Sequence, residues 1–338
     1  MLVSELGEQG LLQRLHRFCP PDLVGDDAAL LSVQPDQRLV VTTDVLVDGV
    51  HFSLGSAATT QTTAPEDVGW RSVVANLSDL AAMGAAPLGV TVGLSLPGDL
   101  AVADLESIYQ GMVACLEEWG GVIAGGDVCR SSVLSVAIAA FGQVSPQAVL
   151  RRDAARPGDR IVVTGIHGAS RAGLELLLNP TAGQGLSPAH RRQLIQAHQR
   201  PRPRLDVAPA LAHLEAFKRV PSGIAGMDSS DGLADAVLQI CRASGVGAWI
   251  DRSQIPLPPA FAGWLSADQG LDWALYGGED FELVLCLPEA IARELVNDLG
   301  GEARTIGVVT AESKVVLGDR SRQCQDQILS LERGFQHF

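Results

Sequence analysis

Glycine-associated acidic corners recur at the ends of apolar runs in this chain, and they restrict its fold and chemistry more than any other feature. They lie at Gly25-Asp26-Asp27, Gly125-Gly126-Asp127, Asp228-Ser229-Ser230-Asp231-Gly232 and Gly277-Gly278-Glu279-Asp280. Neighbouring carboxylates repel one another, so the pKa of one rises unless a cation holds them together. A divalent metal ion is the simplest such cation, and the pattern therefore indicates metal-dependent chemistry.

The first corner continues into a second acidic segment. The apolar run Arg38–Thr43 predicts a strand that ends at Asp44, and the segment 48–52 (Asp-Gly-Val-His-Phe) follows it. A single Gly-Asp-Asp is also common in surface turns, where Asp bonds its own backbone. Four such corners at strand or helix ends make unrelated turns the weaker explanation.

Length and composition indicate a two-domain α/β protein. The chain has 338 residues, of which 46% are hydrophobic and 19% charged, and this length suits about two domains with separate cores. Charge density rises sharply in the segment 151–159, where Pro157-Gly158 marks a turn before another apolar run. The expected domains are therefore 1–147 and 148–338.

The charge balance limits the classes of partner. The formal charge is −14 and there is no basic cluster, so a nucleic-acid-binding surface is not expected, because phosphate backbones are held mainly by Lys and Arg. Lysine occurs only at positions 218 and 314, which excludes lysine-dependent phosphate-binding loops. A bound nucleotide would need metal ions to supply the positive charge.

Targeting and membrane signals are not recognisable. The N-terminus shows no charged leader followed by an apolar core, and no apolar run approaches the length of a membrane span. The six cysteines are scattered without a Cys-x-x-Cys pair, so neither a zinc site nor a disulfide framework is indicated. We expect a cytoplasmic protein that does not enter the membrane.

Hydrophobic spacing predicts the elements that surround the corners. Helices are expected over 67–83 and 101–119, and strands over 88–96 and 133–144. Both strands are apolar on both faces, which is typical of strands covered on both sides. This favours a homodimer interface formed by the first domain.

One face of the helix over 67–83 is polar in an unusual way. Ser72, Asn76 and Asp79 share a face at i, i+4 and i+7. The segment 72–99 contains no Lys, Arg or Glu, whereas a solvent-facing helix normally carries several. The stripe is therefore expected to face an enclosed polar region.

Two features of the second half have competing interpretations. Asp228-Ser229-Ser230-Asp231 is expected to cap the helix 232–244 through its side chains. The segment 198–204 (His-Gln-Arg-Pro-Arg-Pro-Arg) is basic and stiffened by proline; it is interpreted as a connector, with a phosphate or carboxylate contact as the alternative.

Taken together, the motifs resemble the aminoimidazole-ribonucleotide-synthetase-like superfamily and, within it, the thiamine-monophosphate kinase family. The resemblance runs nearly end to end and includes the four corners, Thr42-Thr43-Asp44, the segment 76–84 and the C-terminal Gly334-Phe335-Gln336-His337-Phe338. Several motifs are general to the superfamily, but His51-Phe52 and the C-terminal segment are specific to the kinases. Met227 before Asp228 is a departure that affects packing rather than a ligand.

The resemblance implies a two-domain fold, with an N-terminal mixed-sheet domain that forms the dimer interface and a C-terminal α/β domain. It implies ATP-dependent phosphorylation of thiamine monophosphate with several Mg²⁺ ions. The implied metal ligands are Asp27, Thr42, Thr43, Asp44, Asp79, Asp127, Asp228 and Asp231, with Asp44 and Asp127 as catalytic residues. The implied ATP contacts are Gly126, Asp127, Arg152 and Ser230, and the implied substrate contacts are His51, Glu279 and Phe335. Mg²⁺ completes its shell with water and phosphate oxygens, so this many acids suits a multi-metal cluster.

Other interpretations remain open at this stage. Aminoimidazole-ribonucleotide synthetase is an ATP-using ligase of the same superfamily, and selenophosphate synthetase would need a reactive Cys near the N-terminus. Cys19 is the only early cysteine and has no neighbouring lysine. From a different class, the acidic corners could form a non-catalytic divalent-metal-binding scaffold.

Overall fold

The chain forms two compact units. The computed structural model describes residues 1–21, 23, 28–55, 60–214, 217, 223–320 and 324–334. The first unit comprises Met1–Leu80 and Ala85–Ser145, and the second comprises Ala81–Gly84 and Pro146–Phe338. The sequence placed the junction near residue 148 and did not predict that Ala81–Gly84 would join the second unit. Asp27 and Phe335 lie outside the described residues.

The first unit contains a four-stranded mixed sheet. Its elements are α1 (Val3–Leu15), β1 (Arg38–Val47), α2 (Pro65–Ala82), β2 (Ala86–Leu96), α3 (Val102–Trp119), β3 (Ile123–Arg130) and β4 (Ser135–Val144). The strand order is β1-β4-β2-β3. β4 is antiparallel to β1 and β2, whereas β2 and β3 are parallel. The mixed sheet agrees with the fold expected for the N-terminal domain.

Helices α2 and α3 cross at two glycines. A Cβ at Gly69 would collide with the carbonyl of Ile108, and a Cβ at Gly111 would collide with that of Glu66. Helix α2 also packs on the sheet, because a Cβ at Gly142 would lie 3.0 Å from the Leu80 side chain. One face of the sheet is therefore covered within this unit.

The opposite face of the sheet exposes apolar side chains. Leu39, Val41 and Val45 alternate along β1 and are 52%, 57% and 50% exposed. Alternation is the expected pattern for a strand covered on one face. These residues define the outer face of the sheet, on which Phe141 of β4 also lies as the partner of Val41.

The expected end of the first strand was wrong. β1 does not stop at Asp44 but runs to Val47, with Asp44 paired to Ile138. The strand continues because β4 offers an unbroken ladder of hydrogen-bonding groups over the whole register from Arg38 to Val47. Asp44 is therefore held by strand pairing on a rigid element and not by a turn.

The second unit contains a seven-stranded mixed sheet with the order β11-β10-β7-β9-β5-β8-β6. Its strands are β5 (Arg160–Val163), β6 (Ala225–Asp228), β7 (Gly247–Asp251), β8 (Leu283–Leu287), β9 (Arg304–Thr310), β10 (Val315–Gly318) and β11 (Gln327–Ile328). Its helices are α4 (Ala169–Leu178), α5 (Pro188–Gln199), α6 (Val207–His213), α7 (Leu233–Ser244), α8 (Ala267–Tyr276) and α9 (Glu289–Leu299).

The core of this unit lies on both faces of the sheet, and β8 shows why. Leu283, Leu285 and Leu287 pack into one cluster with residues of α6 and α9. Val284 and Cys286 point the other way, into a cluster with α7 and α8. A strand buried on both faces reads as a continuous apolar run, as residues 283–287 do.

Among the described residues, no helix is long and apolar enough to cross a membrane.

Helix α7 is not capped as the sequence suggested. It begins at Leu233 after Gly232, whose φ is 108°, and that N-cap residue makes no side-chain hydrogen bond. The hydroxyl of Ser229 lies elsewhere, 3.1 Å from the main-chain oxygen of Glu282. A backbone bond from Gly232 N–H to the Ser229 carbonyl, at 3.0 Å, closes the turn instead.

Candidate active site

Some of the predicted metal ligands of the first unit lie together on the inner face of its sheet. Thr42 and Asp44 alternate on one side of β1, and the Thr42 hydroxyl bonds the Asp79 carboxylate of α2. All three side chains are half-buried. Residues 37 positions apart in sequence therefore form one oxygen-rich group, which we call the inner acidic group (Thr42, Asp44 and Asp79).

Thr43 and Asp127 are not part of that group in a single chain. The Thr43 side chain lies on the opposite face, where its hydroxyl donates to the Ile138 carbonyl at 3.0 Å. Asp127 lies on β3, which is one edge of the sheet, whereas Asp44 lies on β1, the other edge. Three strand spacings of about 4.8 Å put roughly 14 Å between β1 and β3. The predicted pair of catalytic acids is thus separated by the width of the sheet.

Gly126 has a structural reason to be glycine. A Cβ there would collide with the Val92 carbonyl of the neighbouring strand. Gly125 just before it has φ of 149°, and the β2–β3 register shifts beside it. The irregular backbone leaves Gly126 and Asp127 exposed, which suits a segment that contacts a ligand.

The polar stripe on α2 is enclosed, as its composition predicted. Ser72 and Asn76 are fully buried, and each bonds a carbonyl one turn earlier. The Asn76 side-chain oxygen accepts no hydrogen bond from the described residues. This stripe leads along the helix to Asp79, the member that reaches β1.

His51 makes local hydrogen bonds in the turn that follows β1. Its Nδ1 lies 3.1 Å from the Val47 N–H and accepts its hydrogen bond. A neutral ring that accepts at Nδ1 carries its proton on Nε2. Arg71, a buried residue of α2, donates to the His51 carbonyl at 3.3 Å. The turn therefore fixes His51 as a hydrogen-bond donor through Nε2.

In the second unit, two motif segments are hydrogen-bonded to each other. The Glu279 N–H donates to the Ser230 carbonyl at 2.7 Å, and the Ser229 N–H donates to the Glu282 carbonyl at 2.8 Å. Asp228, the last residue of β6, is buried just before this contact, whereas Asp231 is exposed just after it. Ser230, a predicted ATP contact, and Glu279, a predicted substrate contact, are thus joined by a main-chain hydrogen bond.

Arg152 joins the same region from a short 3₁₀ helix. Its carbonyl accepts from the hydroxyl of Ser244, the last residue of α7, at 2.9 Å. Burial and the charge of Asp231 raise the pKa of Asp235, in the first turn of α7, and the Arg152 guanidinium opposes that rise. The Arg152 side chain therefore acts on the acidic residues at the start of α7.

Asp280 has a structural role that the sequence did not reveal. Its carboxylate accepts from the Gly168 N–H at 2.6 Å and the Ser170 N–H at 2.9 Å, at the start of α4. An acceptor at a helix N-terminus satisfies otherwise unpaired N–H groups. Burial raises the pKa of Asp280 to about 7 despite these two bonds. This acid of the fourth corner therefore holds the start of α4.

Residues 200–206 connect α5 to α6, as the connector interpretation of the segment 198–204 expected, and Arg204 within them makes an internal ion pair. Its guanidinium donates to Glu282 at 2.5 Å and to both Asp206 oxygens at 2.9 and 2.8 Å. The Thr164 hydroxyl bonds the same Glu282 oxygen at 2.5 Å. Burial raises the pKa of Glu282, and the Arg204 charge and the Thr164 bond oppose that rise. The connector is thus fixed by an internal ion pair between Arg204 and Glu282.

His167 is a further polar residue that the sequence did not single out. It is fully buried, with Nδ1 3.1 Å from the Gly165 carbonyl and Nε2 3.1 Å from the Ser229 hydroxyl. A carbonyl can only accept, so Nδ1 of the neutral ring carries the proton that bonds Gly165. Burial lowers the pKa of His167 to about 4. The ring is neutral at pH 7 and orients Ser229.

This buried imidazole predicts acid sensitivity. The unfolded chain binds a proton near pH 6.5, whereas folded His167 does so near pH 4. Stability should therefore fall as pH drops from 6.5 to 4, by about 3 kcal/mol from this residue. Urea unfolding at pH 7.5, 5.5 and 4.5 measures the slope. His167→Asn should flatten it, while exposed His213→Asn should leave it unchanged; equal slopes for wild type and His167→Asn would contradict the assignment.

The donor set of the inner acidic group fits Mg²⁺. It consists of carboxylate and hydroxyl oxygens, which this hard cation prefers. The group contains only a few such oxygens, which suits Mg²⁺ because much of its coordination shell is water and phosphate. Within the part of the chain that the structure describes, no three His, Cys, Asp or Glu side chains are clustered closely enough to hold a metal by themselves. The group therefore fits an ion whose coordination shell is completed by oxygens of a bound phosphate ligand and water.

Two family models match the chain. Residues 25–144 match the family model described as AIR synthase related protein, N-terminal domain, and residues 156–320 match the C-terminal domain of the same description. The two mixed-sheet units are those of an AIR synthase related protein.

Full-length relatives specify the family further. A thiamine-monophosphate kinase from Synechococcus elongatus is 50% identical over 340 residues, covering 99% of this chain and 98% of its own. A solved thiamine-monophosphate kinase from Stenotrophomonas maltophilia K279a is 33% identical with a TM-score of 0.74, covering 86% of this chain and 88% of that one. A solved structure of AaThiL complexed with AMPPCP and TMP is 29% identical with a TM-score of 0.71, covering 97% and 98%. The chain belongs to the thiamine-monophosphate kinase family.

Proposed function

We propose that this protein transfers the γ-phosphoryl group of ATP to thiamine monophosphate, forming thiamine diphosphate. The observation that carries the proposal is the inner acidic group, an oxygen-only group on a chain with just two lysines. Full-length identity to thiamine-monophosphate kinases supports the choice of substrate. The solved relative that binds AMPPCP and TMP supports the choice of both substrates.

The proposed residue roles follow the chemistry of the two units. Several Mg²⁺ ions would be held by Thr42, Thr43, Asp44, Asp79, Asp127, Asp228 and Asp231, together with Asp27. Of these, Thr43 lies on the face of β1 opposite to Thr42 and Asp44, where its hydroxyl donates to the Ile138 carbonyl. Gly126, Asp127, Arg152 and Ser230 would contact ATP, and His51, Glu279 and Phe335 would contact the acceptor. When bound, the ions supply the positive charge that neutralises the phosphates.

We further propose that the phosphoryl group passes directly between the two substrates. A phosphoenzyme needs a nucleophile with an adjacent base and a group that orients the base. Two Ser–His pairs occur among the described residues, His167 with Ser229 and His198 with Ser170, but all four side chains are buried. What remains for the protein is to align donor and acceptor and to stabilise charge. Radiolabel from γ-labelled ATP should therefore not stay on the protein in the absence of acceptor.

A coupled ADP-release assay tests the function. The protein with ATP and Mg²⁺ should form ADP with thiamine monophosphate and not with thiamine or with an aminoimidazole precursor. Turnover with the precursor would favour the synthetase alternative. Binding of divalent metal ions without any ADP formation would identify a non-catalytic scaffold.

We also propose that the protein works as a homodimer joined through the outer face of the first unit's sheet. Leu39, Val41 and Val45 form an exposed apolar row there, and water contact with such a row is unfavourable. Asp44 and Asp127 lie on opposite edge strands of this sheet. A second copy supplies a second set of edge strands, so each edge acid can serve a site shared by two copies.

A charge on the outer face should break this dimer. Val41→Lys places an ammonium group in the proposed interface, where burying an unpaired charge is costly. Light scattering at micromolar concentration should show a dimer for the wild type and a monomer for Val41→Lys. Leu178→Lys, at an exposed position of the second unit, should remain dimeric. A monomeric wild type would overturn the proposal.

A further inference from the structure

The Glu279 segment has an unusual backbone that other residues must hold in place. Glu279 and Phe281 have φ of 58° and 52°, and Gly278 has φ of 66°. Non-glycine residues in the left-handed region cost about 1 kcal/mol or more each and persist where the surroundings impose them. The anchors are Asp280 on the start of α4 and Glu282 on Arg204. These anchors fix the main chain of Glu279 but not its carboxylate.

A buried histidine lies beneath that carboxylate. His198, in the last turn of α5, is 2% exposed, and its Nδ1 is 3.5 Å from Oε2 of Glu279. The Glu279 side chain is 32% exposed, so one side of it meets His198 while another remains open to solvent. His198 thus contacts the buried side of Glu279, the residue that the proposed function places against thiamine monophosphate.

The imidazole is itself held on two sides. Ser170 of α4 places its hydroxyl 3.1 Å from Nδ1 of His198. A Cβ at Gly173 would lie 2.9 Å from the His198 Cβ, so α4 and α5 pack closely around the ring. The same Ser170 donates its N–H to Asp280. The His198 ring and the Glu279 segment are therefore both held by the same turn of α4.

We propose that His198 is a positioning residue that sets the direction of the Glu279 carboxylate and thereby the affinity for the acceptor. This inference rests on the proposed function, in which Glu279 contacts the cationic thiamine moiety. A proton on Nδ1 lets the ring attract Oε2 on the buried side of Glu279, whose side chain is still partly exposed to solvent. His198 touches neither substrate, and its effect passes entirely through Glu279.

Three variants test the role. His198→Leu removes the polar Nδ1 that lies 3.5 Å from Oε2 and should raise the KM for thiamine monophosphate about tenfold, the low end of the range for contacts with a charged group. The KM for ATP should stay within about twofold. His198→Asn keeps an amide nitrogen near the Nδ1 position and should restore most of the affinity. His190→Leu, on the exposed side of α5, is the matched control and should change neither constant.

A second measurement separates positioning from folding. In a Glu279→Gln background, His198→Leu should raise the KM much less than in the wild type, because the two residues act as one unit. An unchanged KM for thiamine monophosphate in His198→Leu overturns the inference alone. So does a parallel rise of both KM values with an equal loss of Tm in the Leu and Asn variants. If the wild type forms no thiamine diphosphate, the proposed function is wrong and the inference fails with it.

Discussion

Asp44→Asn is expected to lower turnover with ATP and Mg²⁺ by at least about a hundredfold, comparable to the loss of one strong electrostatic stabiliser. Asparagine keeps the volume and the strand pairing opposite Ile138. It removes the negative charge beside Thr42 and Asp79, where the proposed metal ion needs an anionic oxygen. The expected loss is therefore in the chemical step and not in folding.

Steady-state kinetics and thermal unfolding of the same samples distinguish these outcomes. Tm should be maintained, because asparagine is isosteric with aspartate and keeps the pairing of β1 with β4. Asp99→Asn, an exposed acid in the same unit, is the matched control and should retain full activity. Near-normal turnover of Asp44→Asn would refute its role in the reaction.

Periodic features of the sequence predicted the elements well. The helix expected over 101–119 is found at Val102–Trp119, and the strand expected over 88–96 at Ala86–Leu96. Each element is long and regular, so the spacing of its hydrophobic residues distinguishes helix from strand. The end of β1 was mistaken because an acidic residue reads as a boundary, whereas pairing with β4 extends the strand past it. Strand ends depend on the neighbouring strand, which the local sequence does not show.

The candidate site was predictable only where its residues are consecutive or regularly spaced. The stripe Ser72, Asn76 and Asp79 could be inferred from helical geometry, and its burial follows the prediction. The bond between Thr42 and Asp79 joins two motifs that were each recognised but not paired. His198 and Glu279 are 81 positions apart by their numbering and meet only through the packing of α4 and α5. Contacts of this kind arise from tertiary structure alone.

Arg204→Met is expected to destabilise the protein by about 3–5 kcal/mol, the usual effect of breaking a buried ion pair by removing one partner. Arg204 is 16% exposed and Glu282 18% exposed, so little water can replace the lost guanidinium. The variant leaves the Glu282 carboxylate with the Thr164 hydroxyl as its remaining partner among the bonds described above. Asp206, on the surface, loses a partner at smaller cost.

The pH dependence of this loss has a definite sign. Burial already raises the pKa of Glu282, and Arg204 opposes that rise, so removing Arg204 should raise the pKa further. The folded variant then holds a proton over a pH range in which the unfolded chain has lost it. Its stability should fall as pH rises from about 4.5, the ordinary range for Glu. The deficit relative to wild type should therefore be smaller at pH 5 than at pH 8.

Urea unfolding at those two pH values provides the measurement, and the second variant Arg204→Met/Glu282→Gln provides the physical check. Glutamine has no charge to bury, so the double variant should recover part of the stability and lose the pH-dependent deficit. Arg192→Met removes an exposed arginine from α5 and should shift stability by less than about 0.5 kcal/mol. If Arg204→Met is no less stable than Arg192→Met, the ion pair is not what fixes the Glu282 segment. The geometry of Glu279 would then have to depend on Asp280 and the start of α4.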